Sequence, residues 1–112
     1  MSFRSQSFLW LAQRASAAVL ALCVVVHLAT MIYAIQGGLS AAEILGRTRG
    51  NYGWLAFYST FVLACAVHVP IGLRAVLTEW VAWRSGSRDI ALAVFSALLA
   101  ATGMRAVIGV FL

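Results

Sequence analysis

The chain has 112 residues, 63% of them hydrophobic and 10% charged, and its net charge of +5 is carried on the basic side by arginine alone. These arginines are scattered over loop ends with no folded soluble surface to carry them, so the charge reads as membrane topology and attraction to anionic lipid and excludes nucleic acid as a partner. The three acidic residues, Glu43, Glu79 and Asp89, are too dispersed for paired-carboxylate catalysis, and no glycine-rich phosphate loop or nucleophile–base pair is present.

In chain order, residues 15–42 give 28 uncharged positions, residues 50–73 give 24, and residues 90–112 give 23 positions broken only by Arg105. Each run exceeds the roughly 20 residues that a helix needs to cross a hydrocarbon core about 30 Å thick. The expectation is an all-α protein with three transmembrane helices, over about 12–36, 52–77 and 89–111, forming one integral membrane domain across residues 1–112. Arg4 and Arg14 before the first apolar run, with Gly37 and Gly38 after it, raise the question of a signal peptide. A signal core of about 7 to 15 residues is much shorter than this run, which reads as a retained helix.

Orientation follows from arginine. With the N-terminus cytoplasmic, that side holds Arg4, Arg14, Arg74, Arg84 and Arg88, leaving Arg47, Arg49 and Arg105 opposite, so the positive-inside rule favours N-in and C-out. Trp10, Trp80 and Trp83 mark the inner interface, and Tyr33, Tyr52, Trp54 and Tyr58 the outer one. Cys23 and Cys65 read as small packing residues. The third helix, with Ala93, Ala97, Ala101, Gly103 and Gly109, is suited to close packing.

The chemistry concentrates in His27 and His68, one in each of the first two spans. An ionisable residue inside a membrane helix usually faces a protein interior, and neutral imidazole is a haem-iron ligand. The plain reading beside it is a histidine that hydrogen-bonds across helices as packing. His27 stands 13 residues beyond Arg14, about 20 Å along a helix, and His68 six residues before Arg74, about 9 Å. The two would differ in depth by roughly 10 Å, too much to be opposite ligands of one iron. One turn past His68, Gly72 permits close approach of a ring or helix, and Arg74 can reach an anionic group. Pro70 cannot donate its amide and should free the carbonyl of Ala66.

The string from His68 to Trp80, HVPIGLRAVLTEW, resembles the second transmembrane helix of the cytochrome b membrane-anchor subunits of succinate dehydrogenase and fumarate reductase, with its H-x3-G-x-R pattern and following acidic–aromatic pair. Gln13-Arg14-Ala15-Ser16-Ala17 is similar to that family's entry to helix one. The resemblance implies His68 as an axial haem b ligand, with Arg14, Ser16, Arg74, Glu79 and Trp80 around a haem and quinone site at the cytoplasmic interface. His27 matches the two-haem members, in which helix-one and helix-two histidines serve different haems. Two departures stand out: Trp80 occupies the place of a frequent Tyr, and Trp10 a place where some members have Ser.

What the resemblance implies is one or two haems b shared with a second anchor subunit or a second copy of this chain. Flavoprotein and iron–sulfur subunits would carry the dicarboxylate chemistry, and quinone would be the membrane substrate. The expected location is a bacterial inner (plasma) membrane. Competing readings are the cytochrome b subunit of another quinone-linked dehydrogenase, and a haem-free structural membrane subunit.

Overall fold

A computed structural model describes residues 2–112 as four helices: α1 Phe3–Gln36, α2 Ala41–Thr48, α3 Tyr52–Trp80 and α4 Gly86–Phe111. Helices α1, α3 and α4 are long and apolar enough to cross a membrane, and the chain is a multi-pass membrane protein. Its envelope of 49 × 24 × 22 Å matches three upright helices. α3 lies in the middle, packed on α1 along one side and α4 along the other, while α1 and α4 barely meet. The result is an open slab whose long outer faces carry Leu22, Val25, Ile32, Val94 and Leu98, side chains suited to lipid or to another apolar helix.

α1 runs nine residues further towards the N-terminus than the apolar pattern marks, because Ser2 caps it, its hydroxyl accepting the Ser5 amide at 3.2 Å. At the other end Gly38, with φ +65°, closes the helix. The Leu39 amide donates to Ala34 and the Gly38 amide to Ile35, the double bond of a Schellman motif. α2 was outside the expected elements. It starts at a Ser40 N-cap whose hydroxyl accepts the Glu43 amide at 3.2 Å and donates to the Glu43 carboxylate at 3.1 Å. Asn51 then caps α3 through its Oδ1, which accepts from the amides of Gly53 and Trp54.

Two unmet sets of backbone groups hold α4 in place, one at membrane depth, where lipid offers no partner, and one at the end of the helix. Pro70 leaves the Ala66 carbonyl without its helical donor, and the Ser96 hydroxyl of α4 donates to that oxygen at 2.8 Å. At the end of α4, the carbonyls of Val110 and Phe111 accept from the Thr48 hydroxyl and the Gly50 amide, both at 2.8 Å. Gly50 adopts φ +67°, which a side chain would oppose. Between these two points the helices approach closely: a Cβ on Gly103 would stand 2.6 Å from Cγ1 of Val62.

That contact predicts an overpacking cost. Gly103→Ala should destabilise the chain by about 1–3 kcal/mol, because Val62 is β-branched and cannot swing its methyl aside. Val62→Ala in the same chain should recover most of the loss. Reversible unfolding in detergent measures both, and a Gly103→Ala chain as stable as the parent would show that α3 and α4 do not meet here.

Candidate functional site

α1 and α3 run antiparallel, and their pairing sets the site. Ser16, buried at 7% exposure, lies with its hydroxyl 3.5 Å from Nδ1 of His68, at the long limit of a hydrogen bond. One turn further along α3, the amide of Gln13 closes on Gly72, where a Cβ would meet Gln13 Nε2 at 3.4 Å. Small residues at 16, 17 and 72 therefore let the two backbones come together beside the histidine.

This pairing leaves a cleft of about 450 Å³ next to Gly72, lined by Trp10, Gln13, Arg14, Ala17, Ile71 and Arg74 among others. Its walls are mostly apolar, with two guanidinium groups at its edge. The Arg14 guanidinium stacks over the Trp10 ring at 4.9 Å. Oε1 of Gln13 is buried without a hydrogen-bond partner among the described residues, an acceptor that calls for a donor.

Arg74 is tied to α4. Its Nε stands 3.5 Å from Oδ1 of Asp89, the same oxygen that receives Nε and Nη2 of Arg88 at 2.9 and 2.8 Å. Arg88 also donates from Nη1 to Thr78 at 2.7 Å, and Thr78 donates to the Arg74 carbonyl at 2.7 Å. Two cations share one carboxylate, so the cluster retains positive charge beside the cleft. The Arg88 side chain is only 7% exposed. It stitches α3 to α4, and Arg84, exposed with its Nε donating to the Thr78 carbonyl, is the arginine presented outward from this turn.

Of the residues singled out from sequence, His68, Ser16, Arg14 and Arg74 come together at one end of the α1–α3 interface. Within that group Arg14 and Arg74 line the cleft, while Ser16 and His68 face each other and neither lines it. Glu79 and Trp80 are not gathered with them. They are exposed at the last turn of α3, Trp80 at 83%, and Trp80 is about 12 Å along the helix from Gly72. Gln13 and Trp10, which the resemblance associated with the quinone pocket and its entry segment, line the cleft.

His27 belongs to a second region. Its ring meets Tyr58 and Phe61 edge-on, both at 5.8 Å between centroids, and Nδ1 is 3.5 Å from the Tyr58 hydroxyl. Cavities of about 470 and 530 Å³ border it, and Ile44 and Thr48 of α2 line both, so the short helix lies across this region. Ser16 and His27 are 11 residues apart on α1, which puts the two histidines about 16 Å apart in depth. The separation exceeds the roughly 10 Å expected because Arg14 and Arg74 are not level: pairing of Ser16 with His68 sets Arg14 about 6 Å deeper than Arg74. Among the described residues no three His, Cys, Asp or Glu side chains converge.

Comparison with known proteins gives one family. The family described as succinate dehydrogenase/fumarate reductase transmembrane subunit matches residues 1–104. No curated protein and no solved structure matches the chain.

The arginine cluster generates an ordering of variants. Asp89→Ala should destabilise the chain more than Arg88→Met, because the first strands a buried guanidinium while the second leaves a carboxylate that is already exposed to water. Unfolding midpoints of the two variants check this, and the reverse order would show that Arg88 is not held by Asp89.

Proposed function

The chain belongs to the succinate dehydrogenase/fumarate reductase transmembrane subunits, and from that premise we propose that it is a haem b anchor carrying electrons between soluble flavin and iron–sulfur subunits and membrane quinone. The observation that carries the reading is the imidazole of His68, one turn from Gly72 on α3, although the ring itself does not line the Gly72 cleft. Nδ1 faces Ser16 while Nε2 has no hydrogen-bond partner among the described residues and is not buried, as an axial ligand requires. Much of the lining fits a haem: Gly72 and Ala17 leave room against the backbone, and Arg14 and Arg74 are cations for its two carboxylates; the unpaired Gln13 oxygen, an acceptor, finds no donor on haem. Bound there, haem supplies a one-electron carrier.

The protein's own work is then positioning. His68 offers Nε2, the apolar walls around Trp10 and Ile71 exclude water, and Arg14, where it is not paired with a haem carboxylate, stabilises negative charge on a reduced quinone oxygen at the cleft mouth. Glu79, Trp80 and Arg84 stand on the exposed turn beyond, the rim nearest an incoming soluble subunit. Arg4, Arg14, Arg74, Arg84 and Arg88 all belong to this end of the helices, which supports a cytoplasmic N-terminus in a bacterial inner membrane. The open α1–α3–α4 slab suits a partner, a sister anchor or a second copy, that supplies the other axial ligand.

His27 is proposed to hold a second haem with a partner's ligand, because its depth rules out sharing the His68 iron and an apolar cavity of about 470 Å³ adjoins it. The Tyr58 hydroxyl at its Nδ1 favours the other reading, in which His27 is a hydrogen-bonded packing residue and the anchor carries one haem.

Reduced-minus-oxidised spectra of the assembled complex decide these points. His68→Ala should abolish one haem b signal without loss of assembly. Retention of full haem content by that variant would overturn the ligand assignment, and absence of haem from the parent complex would leave a haem-free structural subunit. His27→Ala should remove a second haem and spare the first. One haem per anchor pair, unaffected by His27→Ala, would make His27 a packing residue. Co-purifying subunits separate a dicarboxylate enzyme from another quinone-linked dehydrogenase.

A further inference from the structure

Ser16 was expected among the quinone contacts, yet its hydroxyl is turned the other way. A serine hydroxyl has one proton to give and lone pairs to accept with. Ser16 Oγ donates its proton to the Gln13 carbonyl at 3.1 Å, within its own helix. With that proton on the Gln13 carbonyl, the hydroxyl has a lone pair to turn to His68 Nδ1, 3.5 Å away, where the direction of the bond depends on the tautomer of the ring. With the residue 7% exposed, there is little water to compete for either bond. An acceptor facing Nδ1 requires the proton to be on Nδ1.

We propose that Ser16 is a positioning residue that holds the His68 imidazole in the Nδ1–H tautomer and so keeps the Nε2 lone pair free for iron. The inference rests on His68 as the haem ligand and goes beyond it by assigning the group that sets the ring's tautomer and orientation. Hydrogen-bond partners of a metal-bound imidazole fix its tautomer and raise its basicity, and their loss typically weakens metal binding 10- to 100-fold. His27 supplies the contrast. Its neighbouring hydroxyl, Tyr58, makes no other hydrogen bond among the described residues, so its proton can point to the histidine and no direction is imposed.

The test uses the assembled complex with wild-type, Ser16→Ala, Ser16→Thr and His68→Ala anchors, and reads the midpoint potential of the His68-dependent haem and the rate at which haem passes to an excess of a haem-scavenging protein. Ser16→Ala removes the acceptor, so the ligand becomes less basic, the potential should rise, and haem loss should be about 10-fold faster. Ser16→Thr keeps a hydroxyl with the same backbone bond open to it, and should restore the wild-type potential. If Ser16→Ala does not assemble, Ser16→Cys, with a weak acceptor of similar size, should give an intermediate rise. Unchanged potential and haem loss in Ser16→Ala or Ser16→Cys, or the same shift in Ser16→Thr as in Ser16→Ala, would overturn the role of Ser16 while leaving His68 as the ligand. Absence of a His68-dependent haem in the wild-type complex would overturn both.

Discussion

Pro70 sits inside a membrane helix, where the carbonyl it releases has no water to turn to, and the arrangement of α3 and α4 follows from how that oxygen is satisfied. The Ser96 hydroxyl reaches it at 2.8 Å, which fixes the register of the two helices at mid-depth. From that point the antiparallel pairing lays Gly103 on Val62 in one direction and Asp89 on Arg74 in the other. A hydrogen bond in a membrane contributes only about 1 kcal/mol. Its directional demand is what matters, because few positions on α4 could meet it.

The three spans were legible because hydropathy over 20 residues is a long-range average that single polar residues do not spoil. α2 was not, since Glu43 and Arg47 interrupt any apolar run and its eight residues are too short for a span, although they are amphipathic. Its signal was local, a Ser40-x-x-Glu43 pattern that a search for spans passes over. The freed carbonyl of Ala66 followed from Pro70 alone, but its partner did not. Nothing short of the fold says which of the serines and threonines of α4 faces it.

The site shows the same division. His68, Gly72 and Arg74 are legible from spacing because one helix fixes their relative positions. Residues contributed by two helices depend on register, which the sequence analysis approximated by levelling Arg14 with Arg74. A better anchor existed. In an antiparallel pair, facing residues have nearly constant summed numbers. Ser16 with His68 sums to 84 and His27 with Tyr58 to 85. One correct pairing would have placed Tyr58 opposite His27, moved Glu79 and Trp80 off the cleft, and widened the gap between the histidines. Interfacial arginines are poor rulers, because their long side chains reach the headgroups from a range of depths.

The capping of α4 also bears on how the molecule is made. When the first two spans have entered the bilayer, the Ala66 carbonyl has lost its helical donor and faces hydrocarbon with none in its place. The chain at that stage is an unfinished product whose defect lies on the surface that the following helix must cover. α4 arrives with Ser96 to meet it, and the turn at Thr48 and Gly50 is already laid down to receive the carbonyls of Val110 and Phe111. Biosynthesis therefore acquires a direction. The Ala66 carbonyl of α3 is an unmet bond that α4 completes, and a chain interrupted before α4 carries that mark of its incompleteness into the membrane.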